Sequence, residues 1–146
     1  MAVGRIIRSG IFKDRKVRKL STLAQLLYTW GLVNADRDGR INANAGYLKL
    51  TIAQNVIANV EDVWGCVLEW AQEGLGTLYQ DKYEDYFQFN DFKKMQRMEN
   101  DKGLTSMYTR ETKSIFPKPV SCKITAGELH CSTVNEQLTN SQRTVD

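Results

Sequence analysis

From Leu20 onward the apolar positions Leu23, Leu26, Leu27, Trp30 and Val33 recur at intervals of three and four residues, the period of a helix with one buried face. Ser21 or Thr22 supplies the N-cap oxygen, and the helix should end near Asn34. The run Asp36-Arg37-Asp38-Gly39 is turn chemistry, and Arg40 to Asn42 fits a short strand. A second helix is expected to hold Tyr47, Leu48 and Leu50, against the contrary pull of Gly46 and the β-branched Thr51 and Ile52. The third is more sharply defined. Asn59 can cap it, Glu61 and Asp62 suit its first turn, Val60, Val63, Trp64, Val67, Leu68 and Ala71 form one stripe, and Gly74 can terminate it. Beyond Gly74 the period changes. Leu75 to Gln80 and Tyr86 to Phe89 are rich in aromatic and apolar residues around a polar stretch, Asp81 to Asp85, which predicts a β-hairpin.

Three helices, a short strand after the first and a closing hairpin is the element order of a winged helix-turn-helix. The expected class is mainly α with a small β-hairpin (α+β), a winged helix-turn-helix followed by a flexible tail. The boundaries predicted are 1–97 for the winged-helix domain with its basic N-terminal lead-in, 98–116 for a charged extension and 117–146 for a flexible polar tail. From Pro117 onward the chain turns to Ser, Thr, Asn and Gln with few large apolar residues, which predicts little packing.

The 146 residues suffice for one packed domain, and 42% hydrophobic with 25% charged residues excludes wholesale disorder or a fibrous repeat. No apolar run has membrane-spanning length, and arginines stand near the start where a signal peptide would have its apolar core. A cytoplasmic protein with no membrane partner is expected. Cys66, Cys122 and Cys131 are odd in number and lack ligand-like spacing, which argues against a disulfide framework and for a reducing compartment. With His130 the only histidine, catalytic and metal constellations have little raw material, so neither an enzyme nor a cofactor is expected.

Charge changes the picture more than composition does. Residues 1–50 carry ten Lys/Arg against three Asp/Glu, 51–92 only Lys82 against eight acids, and 93–146 nine bases against six acids. The densest run, Arg5, Arg8, Lys13, Arg15, Lys16, Arg18 and Lys19, faces only Asp14 and reads as a phosphate-contacting footprint or, more blandly, as a solvated basic face. The third helix, in the position of a recognition helix, has Glu61, Asp62, Glu69 and Glu73 and no base, so phosphates would repel it from a groove. DNA contacts are therefore expected from the lead-in, with Arg37, Arg40, Lys49, Lys93, Lys94 and Arg97 as secondary phosphate contacts. Glu61, Glu69 and Glu73 become candidates for docking a protein partner, against the alternative of a solvated surface.

The stretch FKDRKVRKLSTLAQLLYTWGLVNADRDGRI, then VEDVWGCVLEWAQEGLGTLY, then YFQFNDFKKMQ, resembles the N-terminal winged-helix domain of phage replication proteins, the replisome-organiser or primosomal-initiator type. The resemblance covers about residues 5–97. It implies a phage or prophage DNA-binding protein acting in replication initiation in the bacterial host cytoplasm, with the replicative helicase or its loader as partner. A winged-helix adaptor docking through its acidic helix and a small transcription regulator are the competing readings.

Three further patterns have bland readings. Asn34 to Asn42 copies much of an EF-hand loop, but Ala45 stands where the bidentate Glu belongs, so a polar turn is expected. Trp30 and Trp64 lie on apolar stripes and read as core, whereas Trp70 sits at a stripe edge. Cys122, His130 and Cys131 fall one ligand short of a structural zinc site.

Overall fold

Trp70 occupies the centre of the molecule, and the elements around it are arranged to cover it. In the computed structural model, which describes residues 4–131, its indole is fully buried and its Nε1 donates to the Ala24 carbonyl at 2.9 Å. Tyr28, Phe87 and Phe89 surround the ring at centroid distances of 5.4–6.2 Å, two of them edge-on. An aromatic side chain of this size removes some 150–250 Å² from water, worth about 4–6 kcal/mol of transfer free energy.

The chain enters through a 3-10 turn, Ser9–Lys13, and a single helical turn α1, Arg15–Arg18, which Asp14 caps by accepting from the Lys16 and Val17 amides. Helix α2, Thr22–Asn34, is capped by the Ser21 hydroxyl. Strand β1, Arg40–Asn42, and helix α3, Ala45–Leu50, follow, the latter capped by Asn44. Helix α4, Val60–Gln72, opens with a reciprocal capping box between Asn59 and Asp62. Strands β2, Gly76–Gln80, and β3, Asp85–Phe89, form the hairpin, and β1 pairs antiparallel with β3 to give the order β1-β3-β2. In that register Ile41 lies opposite Phe87 and Leu78 opposite Phe87 from the other side, so one face of the sheet meets α2 and α4. Gly31 makes the close approach possible: a Cβ there would stand 3.1 Å from Phe89 Cζ.

The winged helix-turn-helix with a flexible tail is corrected here. The described chain is an α+β structure with six α-helices and three separate antiparallel sheets, and it keeps building past residue 97. Helix α5, Phe92–Met95, strands β4, Glu99–Asn100, and β5, Gly103–Leu104, and helix α6, Ser106–Arg110, occupy the expected extension. The first part of the expected tail forms β6, Cys122–Thr125, and β7, Glu128–Cys131. Ala126 and Gly127, both at positive φ, supply a two-residue turn whose twist suits a hairpin. Leu129 is buried in the main core, and Trp64 Nε1 donates to the Gly127 carbonyl at 3.2 Å. Residues 132–146 of that tail lie outside the described residues.

Two expectations about particular side chains are also corrected. Cys122 and Cys131, direct cross-strand partners, form a disulfide, so only Cys66 is a free thiol, buried on α4. Trp30 is 40% exposed, while Trp70 is the core residue. The buried face of α2 is Ala24, Leu27, Tyr28, Gly31 and Leu32, rotated from the Leu23-Leu26-Trp30 line because α4 and the sheet contact it from the Tyr28 side. No helix among the described residues is long and apolar enough to cross a membrane.

Candidate nucleic-acid interface

The thirteen basic residues singled out from the sequence divide according to whether the fold already uses them. Arg5 is consumed. Its guanidinium makes a bidentate pair with Glu111 at 2.5 and 2.7 Å, donates to the Ala35 carbonyl and lies over Phe92, with only 3% of the side chain exposed. Arg37 stacks on Tyr108 at 4.3 Å and donates to the Tyr108 and Glu111 carbonyls. Arg40 bonds Gln88 Oε1 at 2.8 Å and the Phe116 carbonyl at 3.3 Å. Lys49 closes the loop after α3 by donating to the Ala53 and Val56 carbonyls. These four cations hold segments together, and their donors are directed into the protein.

Lys93 is intermediate. Its ammonium sits 3.1 Å from Asp38 and over the Tyr108 ring. Partial burial pushes the Asp38 carboxyl up, but the Tyr108 hydroxyl, Lys93 and Arg40 outweigh it and hold Asp38 below the usual carboxylate range. Asp36 works similarly as a structural group, accepting from the Asp38 and Arg40 amides and from the Ser114 hydroxyl. The turn that imitates a calcium loop therefore spends its carboxylates on its own backbone and on the 108–114 segment. Gly39 at its apex has φ of +78°, and a Cβ there would stand 2.6 Å from Phe92 Cβ.

The remaining bases are exposed. Lys13, Arg15, Lys16, Arg18 and Lys19 project from the short turn and helix before α2, where Val17 and Leu20 anchor the segment in the core. Lys16 reaches the Gly74 carbonyl at 3.3 Å and Lys19 lies 4.0 Å from Glu73. Both contacts are at the C-terminal end of α4, where the helix dipole favours cations. Arg8 donates to the Lys94 carbonyl at 3.2 Å, which brings a second exposed group, Arg8 with Lys94 and Arg97, onto the surface of α5.

The acidic trio on α4 is also split. Glu69 accepts from the Ser21 amide at 2.7 Å and hydroxyl at 2.8 Å and so fixes the entry to α2. Glu73 faces Lys19, and Glu61 is exposed at the other end of the helix. Glu69 and Glu73 are thus engaged with the segment that leads into α2, while Glu61 stands about two turns from Glu69. Among the described residues no cluster of His, Cys, Asp and Glu could hold a metal ion.

Two concavities flank the outward face of α2. One, of about 470 Å³, lies beside the basic segment and is lined by Ile11, Val17, Arg18, Thr22, Gln25, Leu26 and Thr29. The other, also about 470 Å³, lies at the far end of α2, between Asn34, Tyr47 and the Arg110–Phe116 stretch. Sequence reasoning missed both; the second joins Tyr47 to Arg110 and Lys113, two distant stretches with no shared period. No family model, curated protein or solved structure matches the chain.

Proposed function

We propose that the protein is a non-enzymatic DNA-binding protein that grips phosphates through Lys13, Arg15, Lys16, Arg18 and Lys19, with Arg8, Lys94 and Arg97 as outlying contacts. The observation that carries this reading is the sorting of the bases: Arg5, Arg37, Arg40 and Lys49 are used up inside the fold, while five of the seven residues from Lys13 to Lys19 keep exposed cationic heads. Ion pairs at an exposed surface are weak and exchange readily for phosphate. Replication initiation, with a helicase or helicase loader as partner, is the setting implied by the residue-level resemblance over 5–97. The adaptor reading gains nothing from Glu69, whose carboxylate is occupied by Ser21, the N-cap residue of α2.

The test is duplex binding measured by anisotropy with the five bases replaced by Ala together. Binding should be lost at physiological salt while the urea unfolding midpoint stays near the wild-type value. Undiminished binding by the folded variant would refute the assignment.

A further inference from the structure

Resting on that phosphate-binding reading, we propose that the outward face of α2 is a track for single-stranded nucleic acid, with Trp30 and Tyr47 as base-stacking platforms. Thr22, Leu26, Trp30 and Asn34 follow one another at intervals of four residues and therefore line one face of the helix. Leu26 and Trp30 are 38% and 40% exposed, an unusual pair of large apolar groups to leave in water side by side. The track has cations at both ends. At its start, Arg18 and Leu26 line the first concavity, with Arg15 and Lys19 next to it in the chain. At its end, Asn34 opens into the second concavity, where Tyr47 is 46% exposed and Arg110 and Lys113 form part of the wall.

The bases of that second wall outnumber its acids: Arg5, Arg37, Arg110 and Lys113 stand against Asp36 and Glu111. Glu111 is paired with Arg5, and Asp36 accepts from two amides and from the Ser114 hydroxyl. With Arg110 and Lys113 among its bases, the wall keeps a net excess of two positive charges, complementary to a phosphate chain. Helix α2 spans 13 residues, about 20 Å. An extended strand crossing that length meets cations, then an indole, then a phenol and cations again, the alternation that binds single strands without base-edge readout. A duplex keeps its bases stacked and cannot offer them to either ring.

The experiment compares a labelled oligothymidylate with a duplex of equal length by anisotropy. Trp30→Ala and Tyr47→Ala should each weaken oligothymidylate binding by roughly 5- to 150-fold. Duplex affinity should stay within about twofold, and the salt slope should not change, because neither ring contacts a phosphate. Trp30→Phe should retain most of the single-strand affinity and Trp30→Leu should not, which separates stacking from packing if the Ala variant is less stable. Single-strand binding indifferent to both rings, or binding of duplex alone, overturns the proposal. In either case a concurrent loss in the Lys13/Arg15/Arg18→Ala variant would leave the phosphate reading standing, whereas indifference to that variant as well would remove both.

Discussion

Replacing Arg5 and Arg15 one at a time should separate a structural cation from a binding one. Arg5 is 97% covered in its side chain and holds Glu111, the Ala35 carbonyl and the face of Phe92. Arg5→Ala leaves Glu111 without its partner and the Ala35 carbonyl without its donor. Breaking a buried pair costs roughly 3–5 kcal/mol. Because the Glu111 side chain is 25% exposed and water can reach it, the lower end, about 3 kcal/mol, is the expected value. With a urea slope of about 1.5–2 kcal/mol/M for a chain of this size, the unfolding midpoint should fall by roughly 1.5–2 M. Arg15 is exposed, and Arg15→Ala should move the midpoint by no more than about 0.5 kcal/mol equivalent. Duplex binding at low salt should show the reverse: near wild-type for folded Arg5→Ala, weakened for Arg15→Ala. Urea titration followed by tryptophan fluorescence, paired with anisotropy on the same samples, supplies both numbers. An Arg5→Ala protein as stable as wild type but defective in binding would refute the sorting of the bases.

Glu73→Gln removes the acid facing Lys19 and should raise duplex affinity by up to about threefold at low salt, whereas Glu69→Gln should lower stability by about 1 kcal/mol through its lost hold on Ser21; anisotropy and urea midpoints check the pair. Leu129→Ala should cost about 2–3 kcal/mol, because Leu129 is buried in the main core and its removal opens the contact between the Cys122–Cys131 hairpin and β2; a change below about 0.5 kcal/mol in the urea midpoint would show the hairpin unpacked. Burial, aided by Glu69 and Asp62, pushes the Cys66 thiol up to about 11, so the native protein should resist iodoacetamide at pH 7–8 and react only on unfolding; rapid native alkylation followed by mass spectrometry would contradict this.

Much of the central segment was legible because its signals are local. Ser21, Asn44 and Asn59 each accept the amide three residues on, and the aromatic and apolar stretches Leu75 to Gln80 and Tyr86 to Phe89 around the polar Asp81 to Asp85 mark the hairpin. The rest depends on contacts between distant residues. Arg5 and Glu111 are 106 positions apart, and Arg40 meets Phe116 across 76. A charge count sees such residues as free, which is why Arg5, Arg37, Arg40 and Lys49 were expected at the surface. The β6–β7 hairpin was hidden by its economy: one buried leucine, a disulfide and an Ala-Gly turn stabilise it without an apolar run. Trp30 and Trp70 exchanged roles because an apolar stripe limits which face of a helix is buried to within about one residue, and here the packing of α4 settled the choice.

The central claim is that phosphate contacts come from the exposed turn before α2, and the salt dependence of duplex binding tests it most directly. Each phosphate neutralised contributes about 0.9 to the slope of log affinity against log salt. Lys13, Arg15 and Arg18 are exposed, and their simultaneous change to Ala should reduce that slope by up to about 2.7 with the urea midpoint unchanged. A folded triple variant whose slope equals that of the wild type would place the phosphates elsewhere and contradict the account.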